Sequence, residues 1–115
     1  MRTKIDFTEI FQTLSFEEQN AVLSHGAAIR LSDLKHRHFL AQSKVRHFEE
    51  KYQTTLAQLE SDGLPEQADY EMHEDYIMWR HWDSVARRVH KDIEALENIV
   101  QQGLYTTAEP AYAGD

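Results

Sequence analysis

Residues 31–52, LSDLKHRHFLAQSKVRHFEEKY, carry the pattern that decides the fold. Apolar side chains return at alternating steps of three and four residues, which is the repeat of a helix that packs lengthwise against another helix. Seven positions form this seam, and all of them except His38 are apolar: Leu31, Leu34, His38, Ala41, Val45, Phe48 and Tyr52. The stretch therefore predicts a long helix with one buried face, in which His38 acts as a pairing-specificity residue rather than a ligand.

A second seam of the same kind runs from Met72 to Val100. Nine positions form it, and all of them except Asp75 are apolar: Met72, Asp75, Trp79, Trp82, Ala86, Val89, Ile93, Leu96 and Val100. Met78, Val85 and Ile99 widen the seam on one flank, and a seam this wide suits a bundle better than an isolated two-stranded coiled coil. We therefore predict an all-α fold, an antiparallel helical hairpin of two long heptad-patterned helices. Shorter N-terminal helices pack across it to form a small helical bundle.

Two capping signals place helix starts near the N terminus. The sequences DFTE at 6–9 and SFEE at 15–18 both fit the capping box. In this motif the first side chain accepts a hydrogen bond from a backbone N–H three residues later, and the acidic side chain there accepts one from the backbone N–H of the first residue. Because the apolar phase shifts after Leu23, we expect a kink or break near Gly26–Ala28. The first part of the chain is thus predicted to form short helices.

Turn residues predict the remaining boundaries. Thr55 and Gln58 form a weaker capping pair for a short helix, and SDGLP at 61–65 is the one strong turn signal. Gly103 is the expected stop of the last helix, and LYTTAEPAYAGD, which follows it, lacks a helical pattern. We predict a single helical domain at 1–103 and a loosely ordered C-terminal tail at 104–115.

The composition restricts the class of protein. The chain has no cysteine, which excludes disulfides and thiolate chemistry, and only 4 glycines and 2 prolines, which is natural for a helical protein. Its start lacks a signal peptide, and no stretch approaches the roughly 20 apolar residues of a membrane span, so we expect a cytoplasmic protein. The net charge of −8 lies wholly in residues 61–115 and argues against sequence-independent nucleic-acid binding.

The stretch YEMHEDYIMWRHW, residues 70–82, concentrates side chains that can carry chemistry. His73 begins an H-E-x-x-H zinc motif, but Ile77 stands where the second histidine ligand would be. The paired E-x-x-H pattern of di-iron bundles does not occur. A metal or enzyme site from His73, Glu74 and His81 is a minor alternative, and we expect no catalytic residue, no metal and no cofactor.

Four side chains of this stretch fall on the second seam, and the tryptophans and Asp75 have different consequences. Trp79 and Trp82 are predicted to be core anchors whose ring N–H groups reach a polar partner at the edge. Asp75 interrupts the seam, and a buried carboxylate is costly unless it is paired. We expect Asp75 at the hydrated end of the bundle, and the alternative is a pair with a basic residue of the other helix or of a partner.

Two charged features remain. Arg30, Arg37, Lys44 and Lys51 recur every seven residues and form a basic stripe beside the first seam. Seven acids crowd the segment 60–75: Glu60, Asp62, Glu66, Asp69, Glu71, Glu74 and Asp75. Either these are solvated faces that pair within the chain, or they steer and register another chain.

A nucleic-acid interpretation uses the basic residues of the first seam helix. Helices on either side of Gly26 could mimic a helix-turn-helix, with DNA contacts from Lys35, Arg37, Lys44 and Arg46. The spacing is poor, and neighbouring leucine and valine side chains belong to the core seam. DNA contact is therefore a minor alternative.

Several short motifs resemble a family of small all-helical bacterial and archaeal proteins. FEEKY at 48–52, LP at 64–65 and YEMHEDY at 70–76 followed by Trp79 are similar to its F-E-x-K-Y-G, L-P and E-x-x-E-D-Y-x-x-W pattern. The resemblance covers about residues 45–100 and contains no catalytic motif. Gln53 departs from it, because glycine is common there in the family. Members are often encoded beside a small protein that looks like a toxin, which implies an antitoxin-like partner role.

The residues predict a non-catalytic protein–protein interaction module, and the resemblance implies an antitoxin-like one that binds and masks a small co-encoded toxin. The candidate partner surfaces are the basic stripe and a patch of aromatic and charged side chains, which are typical of interface anchors: Tyr70, His73, Asp75, Tyr76 and Trp79. The alternative is a self-associating structural or regulatory protein, a homodimer in which two hairpins form four helices.

Overall fold

The computed structural model describes residues 6–113, with side chains up to residue 102, and every regular element in this range is a helix. In chain order these are α1 (Phe7–Gln12), α2 (Phe16–Tyr52), α3 (Leu56–Asp62) and α4 (Tyr70–Ala113). The two long helices, α2 and α4, pack against each other. The all-α class and the pairing of two long helices are confirmed.

Helix starts lie where the capping patterns predict them. At α1, α2 and α3, the side chain of Asp6, Ser15 or Thr55 accepts a backbone N–H of the first turn. At α4 the cap is one that the sequence analysis missed, because Asp69 Oδ1 accepts the N–H of Met72 at 2.9 Å. Each cap satisfies a backbone donor that has no partner inside its helix.

One predicted break and one predicted stop are wrong. α2 has no break near Gly26–Ala28, so the second predicted N-terminal helix is the first part of α2, and the alternative of a kink there stays a prediction. α4 does not stop at Gly103, and its backbone stays helical as far as Ala113. A glycine inside a helix costs only about 1 kcal/mol relative to alanine, which a long helix tolerates. Side chains from 103 onward lie outside the described residues, and the predicted division into 1–103 and 104–115 stays a prediction.

α2 ends at a residue in the left-handed backbone region. Gln53 has a φ of 52°, and the N–H of Thr54 reaches back to the carbonyl of Glu49 at 3.3 Å. This is the hydrogen bond of a Schellman motif, in which glycine is the usual left-handed residue. The Gln53 side chain donates to the Glu50 carbonyl at 2.8 Å. The similar family pattern carries its glycine at this position.

The chain divides into two compact units. One is formed by residues 33–93, which contain the second part of α2, all of α3 and the first part of α4. The other combines the residues before 33 with those after 93.

Within residues 33–93, α2 and α4 run antiparallel. Phe48 stacks on Trp79 with ring centroids 5.8 Å apart. Earlier on α2, His38 faces His90, which lies later on α4, with centroids 5.7 Å apart. Residues earlier on α2 therefore contact residues later on α4, which confirms the predicted antiparallel hairpin.

The core of this unit is built around Trp79, whose side chain is 0% exposed. Phe48 of α2 joins Leu56 and Leu59 of α3 in the same buried cluster. Tyr52 also stacks on the indole, with 17° between the ring planes. One buried ring thus holds three helices together, and offset aromatic stacking adds to the gain from removing this apolar area from water.

Described side chains of the other unit bury less. α1 has no buried residue, and Ala27 is the one buried position among residues 6–32. Phe7 is 77% exposed, Phe16 66% and Ile29 71%. This unit therefore presents large apolar side chains at its surface.

Candidate interaction surfaces

A polar cluster joins the end of α2 to the start of α4. Lys51 Nζ donates to Asp75 Oδ2 at 2.6 Å and also pairs with Glu71, one turn earlier on α4. The Tyr52 hydroxyl donates to the same Asp75 oxygen at 2.6 Å. Asp75 is half-buried and paired with a basic residue of the other helix. The expectation of a hydrated end is therefore wrong, because the antiparallel register sets Lys51 and Tyr52 opposite this carboxylate.

These bonds change the protonation equilibria of the cluster. Burial acts to raise the pKa of Asp75, but hydrogen bonds from Lys51 and Tyr52 outweigh it, and the pKa is lowered. Burial and then the hydrogen bond to Asp75 raise the pKa of Tyr52 to about 12. Hydrogen bonds to Asp75 and Glu71 raise the pKa of Lys51. At neutral pH an ammonium and a neutral phenol therefore hold a carboxylate in place.

A second polar group fixes α3 to α4. Glu60 Oε2 accepts the Tyr76 hydroxyl at 2.9 Å and pairs with Arg80 Nε at 3.4 Å. The hydrogen bond to Glu60, followed by burial, raises the pKa of Tyr76. The Tyr76 hydroxyl is therefore already bonded within the chain, although Tyr76 was a candidate for an external contact.

Trp79 lies in the core, as its seam position predicts. A ring that is 0% exposed offers no area to a protein that docks on the folded chain. The predicted hydrogen bond of the ring N–H is wrong, because the buried Nε1 atom has no acceptor among the described residues. The buried side chains clustered with Trp79 are phenylalanine and leucine, which offer no side-chain acceptor.

The exposed members of the predicted aromatic and charged patch are Tyr70 and His73. Tyr70 is 79% exposed at the first position of α4, and His73 is exposed one turn later. Ile77 is 59% exposed and continues the same side of the helix. The patch is therefore split: two of its members face solvent, and the other three make contacts inside the chain.

The basic stripe is divided too. Lys51 is engaged in the polar cluster at the helix ends. Arg37 and Lys44 are exposed and form no ion pair within the part of the chain that the structure describes. Arg30 is also exposed but belongs to the other compact unit. Within residues 33–93, Arg37 and Lys44 are the members of the stripe available to an external partner.

Two exposed apolar side chains on this part of α2 were not predicted from the sequence, and they lie on different sides of the helix. Phe39 is 70% exposed and Leu40 is 48% exposed. Leu40 lies three residues after Arg37 and four before Lys44, so the three share one side of α2. The sequence does contain an indication of this exposed surface. Phe39 and Leu40 lie outside the seam positions, in a segment, 34–48, that has four Lys or Arg and no Asp or Glu.

The histidines do not assemble a metal centre in the described part of the chain. Among residues 6–102, no group of three or more His, Cys, Asp or Glu side chains could hold a metal ion. His81, one of the proposed ligands, meets the Trp82 ring edge-on with centroids 5.1 Å apart.

Comparisons of this chain with protein-family models, with curated proteins and with solved structures gave no match. The resemblance of its motifs to a toxin-associated helical family therefore stays a prediction. Among the described residues, no helix combines the length and the apolar character that a membrane span requires.

Proposed function

We propose that this chain is a non-catalytic protein-interaction module that binds and masks a small partner protein, as an antitoxin masks a toxin. One observation carries the proposal: on one exposed flank of α2, Leu40 is 48% exposed between the cations Arg37 and Lys44. These three residues are named the α2 docking face.

The α2 docking face has the composition of an interface. Leu40 gains about 25 cal/mol for each Å² of apolar surface that a partner removes from water. Arg37 and Lys44 form no ion pair within the described residues, so their charge is available to a partner. Apolar anchors with a charged rim are typical of protein contacts, and charge complementarity adds specificity. The expected partner carries an apolar patch bordered by Asp or Glu.

Contacts within residues 33–93 fix the position of the helix that carries the α2 docking face. The adjacent side of the helix buries Leu34, Ala41 and Phe48, and its end is tied to α4 by the bond between Lys51 and Asp75. A surface that is already ordered loses little conformational freedom when it binds. Residues 33–93 therefore supply a preorganised docking surface.

Nucleic acid is the competing ligand for Arg37 and Lys44. Phosphate is contacted by charged and polar groups, whereas Leu40 places a large apolar side chain between these cations. The net charge of −8 also opposes binding to a polyanion. Titration of random duplex DNA at increasing salt tests this alternative, and a steep negative salt slope would favour it.

Native mass spectrometry of the tagged chain, captured from its host cells, tests the partner. We expect one stoichiometric small polypeptide, which the Leu40→Asp variant and the Arg37→Glu/Lys44→Glu variant lose. Ile77→Asp is the matched control, because it places the same charge at an exposed apolar position of α4. Equal retention by Leu40→Asp and wild type would exclude the α2 docking face, and the absence of any second polypeptide would contradict the proposal.

The masking role has its own test. The captured polypeptide is expressed alone and together with this chain in a neutral host. Growth arrest that wild-type chain relieves, and that Leu40→Asp does not, supports an antitoxin-like role. If the polypeptide expressed alone does not arrest growth, the masking role is excluded, whereas the binding role is unaffected.

A further inference from the structure

The outer side of α4 carries a regular stripe that the core of residues 33–93 does not use. Exposed side chains recur there at alternating steps of four and three residues: Tyr70, Glu74, Ile77, His81, Ser84 and Arg88. Lys91 continues the spacing and is also exposed. This repeat is the one that lets a helix pack lengthwise against another helix. These seven residues are named the α4 outer stripe.

The basic end of the stripe concentrates the positive charge of this part of the chain. Residues 61–115 contain four basic side chains, and all four line one groove of about 660 Å³ on α4: Arg80, Arg87, Arg88 and Lys91. Arg80 pairs with Glu60 and Arg87 with Asp83. Arg88 and Lys91 form no ion pair within the described residues. Two cations of the groove therefore remain for an external carboxylate.

The acidic end of the stripe supplies such a carboxylate. Glu74 is exposed and has no hydrogen bond or ion pair within the described residues. It lies about four helical turns before Arg88 on the same side of α4. A helix that is acidic at one end and basic at the other complements a copy of itself that runs in the opposite direction.

We propose that a second copy of this chain docks antiparallel on the α4 outer stripe, so that Glu74 of each copy pairs with Arg88 and Lys91 of the other. The two-fold axis passes near residues 81–84. Ile77, which is 59% exposed, lies between the charged ends and is covered by the second copy. Each ion pair occurs twice because a two-fold contact is self-complementary.

The size of the stripe sets the expected strength of the dimer. From Tyr70 to Lys91 it extends for about 32 Å of helix. A single helix face of this length gives a contact below the roughly 800 Å² per partner of a standard interface. We therefore expect a monomer–dimer equilibrium in the micromolar range. It should weaken as salt rises, because the ion pairs lie at the exposed rim.

Sedimentation velocity of purified chain over the micromolar concentration range is the first experiment, and wild type should dimerise. Glu74→Arg and Arg88→Glu/Lys91→Glu should each dimerise at least tenfold more weakly, because like charges then meet. An equimolar mixture of the two variants should form a heterodimer, because the mixed pair restores opposite charges at both contacts. Glu50→Arg on α2 is the matched control and should dimerise like wild type.

The mixture keeps the test informative, since a variant that failed to fold could not recover association by mixing. A wild-type chain that stays monomeric throughout the range would overturn the proposal. So would a mixture that remains monomeric while wild type dimerises. Ile77→Asp separates this surface from the α2 docking face, because it should weaken self-association and leave binding of a different protein unchanged.

Discussion

Replacing each of two glycines with alanine should shift stability in opposite directions. Gly26 lies inside α2, and a Cβ there would meet nothing within 4 Å. Because alanine loses less backbone entropy on folding, Gly26→Ala should raise the free energy of unfolding by about 0.5–1 kcal/mol. Gly63 ends α3 at φ 81° and ψ 159°. A Cβ there also has open space, but only glycine reaches this backbone region without strain, so Gly63→Ala should lower the free energy of unfolding by about 1–3 kcal/mol.

The two variants control for each other, because the chemical change is identical and neither creates a clash. Guanidinium unfolding followed by far-UV circular dichroism measures both, and their free energies should differ by about 1.5–4 kcal/mol. A shift of the same sign in both variants would refute the reasoning, since it would show that backbone conformation does not decide the effect.

The other predictions concern the junction of α2 and α4. Gln53→Gly should relieve left-handed strain of about 1–2 kcal/mol and lose the side-chain bond to the Glu50 carbonyl, a net gain of about 0.5–1 kcal/mol. Gln53→Ala should lose stability in the same denaturation assay, and equal values for the two variants would contradict this. The pKa of Asp75 is lowered from its ordinary 3.8, so its ionised form contributes stability that is present above that pH and lost as the pH falls below it. Asp75→Asn should flatten the acid limb of a plot of stability against pH, and an unchanged limb counts against the cluster. The pKa of Tyr52 is raised from 10.0 to about 12, so its neutral phenol contributes stability that is present below pH 10 and lost as the pH rises toward 12. Tyr52→Phe should make the alkaline limb shallower, and a limb as steep as in wild type would contradict the role of the phenol.

The seams could be predicted because periodicity determines which side of a helix is buried. Leu34, Ala41 and Phe48 follow one another by seven residues, and all three are buried. Trp79 is buried on the facing helix for the same reason. The continuity of α2 was harder to predict. A phase shift of the apolar residues around Gly26 looks like a helix break when the tertiary contacts that determine whether the helix continues are unknown.

The candidate surfaces could be predicted only in part. The pairing of Asp75 depends on which residue of α2 lies opposite, and that register depends on a linker whose path the sequence does not reveal. Arg37 and Lys44 were found because charge repeats are visible in the sequence. Phe39 was missed because its exposure follows from the position of α4, which covers the other side of α2.

The packing of Trp79 has a spectroscopic consequence. The chain has 2 tryptophans, Trp79 and Trp82, and both lie in residues 33–93. Fluorescence excited selectively in tryptophan therefore reports on that unit alone, with a blue-shifted emission expected from the fully buried indole, whereas ellipticity reports on every helix. Unfolding curves from the two signals would coincide only if the compact units lose their structure together, so the chain carries its own probe of cooperativity.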